Sequence, residues 1–251
     1  MKFTIKHFFR FKPGSGPSDR SLMNIGSWDE LRSKPGGNES FVFPENRGAW
    51  LRMCANSAVE LAAADLARVL DREKIRRVVS VGVGRGCLEF NLSKRLPEME
   101  LVCTEYSRVA VERLRHVFDE CKAVHEFDIR SRDWPWGRDP HTLVLLYRVD
   151  TEFDDVIMTR VMEAISASGI QNVLVVATGF AKFCSVLKTG AYALAYALRI
   201  PGVAWAGFLR SEERFVDILR HRHVITEKLK IGDLTGFFLK PDLSRRPSNK
   251  L

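Results

Sequence analysis

The stretch Val78-Val79-Ser80-Val81-Gly82-Val83-Gly84-Arg85-Gly86-Cys87-Leu88-Glu89 limits what this chain can fold into more than any other. A run of β-branched residues broken by glycines reads as a strand buried on both faces that ends in a turn. The pattern then resumes at helical spacing through Leu88, Leu92 and Leu96 and stops at Pro97, so a helix follows the turn. A second apolar run, Leu101-Val102-Cys103-Thr104, ends on Glu105. Ligand chemistry belongs at such a strand-to-helix turn, because backbone free of Cβ atoms lets a ligand approach closely.

The rest of the chain repeats the alternation. Strand candidates fall at 77–81, 100–104, 123–127, 142–147 and 172–177, with helical stretches at 87–96, 107–121 and 154–166. Right-handed crossovers then give an α/β fold, a mainly parallel twisted sheet covered by helices on both faces. Val224 to Ile231 and Leu234 to Leu239 flank Gly232-Asp233 and read as a C-terminal hairpin. Ala49 to Leu70 carries an amphipathic helical pattern expected to pack against the sheet, the alternative being to cover the ligand at the turn.

Glycine spacing separates the ligand classes. A dinucleotide turn wants G-x-G-x-x-G, and its third glycine position is Cys87 here. The glycines at 82, 84 and 86, with Glu105 ending the next strand, resemble the first motifs of class I S-adenosylmethionine-dependent methyltransferases, over about residues 46–240. The resemblance implies a Rossmann-like sheet with an antiparallel last strand inserted. It also implies a cofactor site at Gly82, Val83, Gly84, Gly86, Glu105 and Tyr106, with Glu105 accepting from the ribose hydroxyls. It assigns Asp128 and Ile129, ending the third strand, to adenine; alternatively Asp128 caps a helix or forms an Asx turn. Many family members carry an acid two residues before the first glycine, where this chain has Ser80. Glu89 either compensates by facing the cofactor's ammonium or only caps its helix.

The crevice of an open α/β sheet lies beyond the carboxyl ends of its strands, and the fourth strand borders the switch point. Tyr147, Arg148, Asp150 and Glu152 are therefore the expected catalytic residues, with Asp150 or Glu152 as general base, while Asp154 and Asp155 are read as helix caps. The N-P-P-Y of amine-directed nucleic-acid enzymes and the Pro-Cys of cytosine C5 enzymes are missing. The Asp-Asn pair that a magnesium-dependent, catechol-type site would carry after the fifth strand is replaced by Ala177-Thr178-Gly179-Phe180. In-line transfer without a metal is the expectation, helped by a base. His125, His141, His221 and His223 are weaker candidates for that base. Residues 181–210 are expected to form an insertion that builds the acceptor site, Ala-rich and helical at 190–198, acting as a lid, a shallow membrane contact or an ordinary buried helix pair.

Charge and composition bound the rest. The net charge of +8 sits mostly in the ends, since residues 1–20 carry five basic side chains against Asp19 and residues 241–251 carry three against Asp242. Residues 1–45 read as a flexible basic leader rich in Gly, Pro, Ser and Asn, and 241–251 as a basic tail. Such ends either steer toward nucleic acid or an anionic membrane, or are merely solvated. The phenylalanines among the first eleven residues favour surface binding. Five cysteines without a C-x-x-C pair, and an N-terminus lacking an apolar secretory core, suggest a reducing, cytoplasmic setting. The expected function is O-methylation of a small molecule or glycan. An RNA methyltransferase gripping phosphates with its basic ends and a catalytically inactive binding module remain open alternatives.

Overall fold

The computed structural model describes residues 1–12, 14–33, 41–44, 46–55, 58–119, 121, 123–242 and 244, without side-chain detail at 183 and 184. Most of the expected basic tail and residues 34–40 of the expected leader lie outside the described residues. The chain begins with β1 (Thr4–Arg10), α1 (Ile25–Ser33), α2 (Arg47–Ala55) and α3 (Glu60–Arg72). The alternating part follows as β2 (Arg77–Val81), α4 (Cys87–Arg95), β3 (Glu100–Glu105), α5 (Arg108–Val117), β4 (Ala123–Glu126) and β5 (Thr142–Tyr147). A 3-10 turn at Asp150–Glu152 leads to α6 (Asp155–Ala167), β6 (Asn172–Val176) and α7 (Phe183–Ala197). The chain closes with β7 (Val203–Arg210), α8 (Glu212–Leu219), β8 (His223–Ile231) and β9 (Leu234–Pro241).

Seven strands form one sheet in the order β4-β3-β2-β5-β6-β9-β8. β2 to β6 pair in parallel, and β9 enters antiparallel to both β6 and β8. The chain order reverses at β2, between β3 and β5, which makes this the switch point where a crevice opens. The apolar runs are continuous because both faces are covered. Val78, Leu143 and Leu145 pack with Leu66, Leu92 and Leu114 on one side, while Val79, Val144 and Val175 pack with Met158, Val161 and Phe215 on the other.

Three sequence expectations change. The 49–70 helix is two elements, α2 and α3. The insertion at 181–210 is helical only over α7; residues 203–210 form β7, not the second member of a helix pair. The flexible leader is the largest correction. β1 pairs antiparallel with β7 from Thr4↔Arg210 to Arg10↔Val203, in a small sheet of its own. Phe11, Leu22, Leu31 and Ala204 form a third buried cluster, with Phe9, Trp28 and Phe41 packed on it. The physical reason is that aromatic rings dominate burial even where turn residues outnumber them. Phe9 lies 4.7 Å from Phe11 and 5.4 Å from Phe41, between ring centroids.

Candidate functional site

The glycine turn after β2 takes its shape from three left-handed residues, with φ of 70° at Gly82, 58° at Gly84 and 71° at Gly86. A Cβ at Gly82 would stand 2.6 Å from Val149 Cγ1, and one at Gly86 would stand 2.8 Å from Leu114 Cδ2. The sequence needs glycine here for both conformation and space. The Gly82 and Val83 amides donate to the Thr104 carbonyl, which anchors the turn to β3. Glu105 then cinches it: one carboxylate oxygen accepts from the Gly84 amide at 2.6 Å, the other from the Tyr106 and Ser107 amides at 3.0 and 3.1 Å. A carboxylate offers about four acceptor positions, so Glu105 keeps one free.

Two adjoining cavities flank this turn and share Leu22, Trp28, Arg32, Val81, Gly82 and Glu152 in their walls. The first is bounded by Glu105, Tyr106, Asp128, Ile129, Val149 and Phe153. The second is bounded by Val83, Gly84, Ser80, Glu89, Tyr147, Arg148 and Thr178, with His7 and Phe9 from β1. The structure therefore brings nearly all sequence-predicted residues to one place. Gly86 sits at the N-terminus of α4, behind the turn, and lines neither cavity.

Asp128 lines the first cavity, but its carboxylate is already held by Arg130, through the backbone amide at 2.9 Å and two guanidinium bonds at 2.8 Å. Burial pushes the Asp128 pKa up, and the Arg130 bonds more than offset this, leaving it below the ordinary value. Arg130 also donates to the Tyr106 hydroxyl at 2.7 Å, so Tyr106, Asp128 and Arg130 form one rim.

Glu89 is buried and accepts from Ser80 Oγ at 2.6 Å, while its other oxygen has no partner among the described residues. Burial lifts its pKa to about 7, against the Ser80 bond that favours the charged form. Serine two residues before the first glycine is thus coupled to an acid after all, supplied from α4.

At the end of β5, Arg148 adopts a left-handed φ of 61° and remains exposed, turning the chain into the 3-10 segment. Asp150 is only 3% exposed and accepts from both the amide and the hydroxyl of Thr178, at 2.8 and 2.7 Å. It lines neither cavity, so the expectation of a general base at Asp150 gives way to a clasp between the ends of β5 and β6. Glu152 lines both cavities. Burial, then the nearby charge of Glu105, raise its pKa to about 8, while Arg32 pulls the other way. Burial likewise raises the Tyr147 pKa.

Arg210, from β7, fixes this segment. Its guanidinium donates to the Asp150 carbonyl at 2.8 Å, to the Phe153 carbonyl, and to Asp155 at 2.8 Å. Asp155 also accepts from Arg214 and Thr4, so it ties β1, α6 and α8 together rather than capping a helix. The cap is Asp154, accepting from the Ile157 amide at 2.7 Å. Gly207 lets β7 press on the segment, since a Cβ there would meet the Thr151 carbonyl at 1.9 Å.

The sequence reading missed Trp28, Arg32 and Arg130. Arg32 is 8% exposed and lies over the turn, its Nη2 3.2 Å from where a Gly84 Cβ would stand. Its Nε has no partner among the described residues. Burial pushes its pKa down, with Glu105 among the groups that oppose this. The local sequence signal for Trp28 and Arg32 is weak, the short helical stretch Trp28-Asp29-Glu30-Leu31 within an otherwise turn-rich segment. Of the histidines considered, His141 bonds the Lys74 carbonyl, His221 meets Glu163 and His223 is buried; none lines either cavity.

This sheet order with its inserted antiparallel strand is the class I S-adenosylmethionine-dependent methyltransferase fold, and solved structures are similar to it in fold. The pyocyanin biosynthetic protein PhzM matches at 20% identity and a TM-score of 0.54, over 84% of this chain and 66% of its own. Human N-acetylserotonin methyltransferase, in complex with S-adenosylmethionine, matches at 16% and 0.55, over 85% of this chain and 62% of its own. The mitomycin 7-O-methyltransferase MmcR matches at 18% and 0.52, over 76% and 60%. This chain thus spans less than two thirds of the length of these structures. No family model and no curated protein matches the sequence. Among the described residues, no helix is long and apolar enough to cross a membrane.

Proposed function

We propose that the chain binds S-adenosylmethionine in the glycine cradle and catalyses methyl transfer to a small-molecule hydroxyl, with Glu152 as general base. The observation that carries this reading is the continuity of the site. The Cβ-free turn cinched by Glu105 opens into the same cavity walls as Glu152, a half-buried carboxyl with a raised pKa. The residues fit the cofactor: Glu105 retains an acceptor position for a ribose hydroxyl, and the rim of Tyr106, Asp128, Ile129 and Arg130 suits an adenine. The Glu89 oxygen without a partner among the described residues offers an acceptor to an ammonium from the second cavity. When bound, S-adenosylmethionine supplies a methyl group activated by its sulfonium.

Glu152, once deprotonated, accepts the proton of the acceptor hydroxyl as the new bond to carbon forms. A carboxylate whose pKa lies near 8 is a stronger base than an ordinary one and better matched to the task. The Thr178–Asp150 and Arg210 bonds fix the 150–153 segment that carries Glu152. Phe9, Trp28, Phe41 and Tyr147 line the second cavity, which favours a compact, partly apolar acceptor over an RNA strand. Two of the structural neighbours, the mitomycin 7-O-methyltransferase and N-acetylserotonin methyltransferase, are named for small molecules, which supports the same class.

The test is calorimetric titration with S-adenosylmethionine and, separately, with NAD, using Gly84→Asp as a filled-turn control. Binding of S-adenosylmethionine alone, abolished in the control, is expected. Binding of NAD, or of neither, would overturn the reading. Glu152→Gln should keep cofactor affinity and lose turnover on any acceptor that the native chain methylates.

A further inference from the structure

Helix α7 is built almost entirely of apolar and small residues, yet none of its described side chains is buried. Leu187, Leu194 and Leu198 are 72%, 62% and 66% exposed and recur at spacings of seven and four, which puts them on one face. Gly190 and Ala191 fill the gap between them. Val186 and Ile200 extend the patch at 41% and 46% exposure. The inner side rests on β1 and β7, with Tyr196 against Phe8 at 5.5 Å and under the Arg20 guanidinium at 4.6 Å. An apolar stripe of this size turned to solvent calls for an occupant.

Charge identifies it. No Asp or Glu occurs between Glu163 and Glu212, while Lys182, Lys188 and Arg199 border the stripe. β1, beneath α7, adds Lys6 and Arg10 and no acid. A second copy docked by two-fold symmetry would set these cations against their own images with no carboxylate from the helix to answer them. An anionic bilayer answers them all: apolar side chains enter the boundary of the acyl region and the flanking cations meet headgroups. At 15 residues, α7 is about 22 Å long, short of the roughly 30 Å hydrocarbon core, so it would lie on the surface.

We infer that α7 is a docking surface for anionic lipid bilayers. It would hold the chain with β1, whose His7 and Phe9 line the second cavity, beside the lipid surface. The inference is independent of methyl transfer, and its test needs no acceptor.

The experiment is flotation with vesicles of phosphatidylcholine alone and of phosphatidylcholine with about one third phosphatidylserine, at physiological salt. The native chain should float with the anionic vesicles only. Leu187→Glu/Leu194→Glu and Lys188→Glu/Arg199→Glu should each weaken this at least about tenfold. All four positions are exposed, so native-like circular dichroism and melting are expected of both variants. No flotation, equal flotation with neutral vesicles, or flotation unchanged in both variants would overturn the inference. So would a dimer by light scattering that Leu187→Glu/Leu194→Glu dissociates, because the face would then belong to a second copy.

Discussion

Replacing Glu152 by Gln changes the pH dependence of stability in a direction that the site fixes. The carboxyl sits at about 8 in the folded chain against an ordinary value of 4.5. Below pH 4.5 it is protonated in both states and imposes no penalty. As pH rises from there to about 8 the unfolded chain ionises while the folded chain holds its proton, so the native protein loses stability; above 8 the loss levels off. At about 1.4 kcal/mol for each pH unit, the full loss is at most about 5 kcal/mol. Glutamine keeps the shape and does not titrate. Urea denaturation at pH 4, 6.5 and 9 should therefore show the native chain and Glu152→Gln close together at the lowest pH. The variant should gain progressively above that, becoming more stable by a few kcal/mol at pH 9. Parallel stability curves across the range would refute a carboxyl of raised pKa at this position, and with it the choice of Glu152 as base.

Glu105→Ala strands the amides of Gly84, Tyr106 and Ser107; at about 1–3 kcal/mol for a buried group left unpaired, melting should show a loss of at least about 2 kcal/mol, and calorimetry a loss of cofactor binding. Gly82→Ala forces a side chain into a left-handed conformation, about 1–2 kcal/mol, and against Val149; lowered stability and weakened cofactor affinity are expected, and an unchanged melt would contradict the turn geometry. Arg210→Met leaves Asp155 short of a partner and frees the Asp150–Glu152 segment, with an expected cost of about 3–5 kcal/mol by denaturation.

The parallel core was legible because burial on both faces writes each strand as an unbroken apolar run. β2 and β5 were read to the residue, and β3, β4 and β6 to within one. The hairpin was legible through Gly232-Asp233, where Gly232 adopts a φ of 58°. β1 and β7 were not. They pair across nearly the whole chain, and their side chains are mostly half-buried, so neither alternation nor a continuous apolar run marks them. Residues around β1 also share their stretch with prolines and glycines, and averaging over that stretch hid the rings that bury it.

The site divides along the same line. Glycine spacing and the acid ending β3 are local patterns, and the structure brings Gly82, Gly84 and Glu105 together as a unit. Whether Asp150 or Glu152 faces the cavity is not local: it is decided by Thr178 at the end of β6 and by Arg210 on β7, which claim Asp150 and its backbone and leave Glu152 turned inward. The electrostatics of Glu152 depend on a still more distant residue. Without a nearby cation, burial beside Glu105 would raise its pKa further and leave it protonated over a wider range. Arg32 supplies that cation from α1. The Arg113 guanidinium, bonded to the Arg32 and Phe43 carbonyls at 2.8 Å, helps hold α1 against α5. The segment that looked like a leader thus forms part of both cavity walls and keeps the pKa of the proposed base below what burial beside Glu105 alone would give.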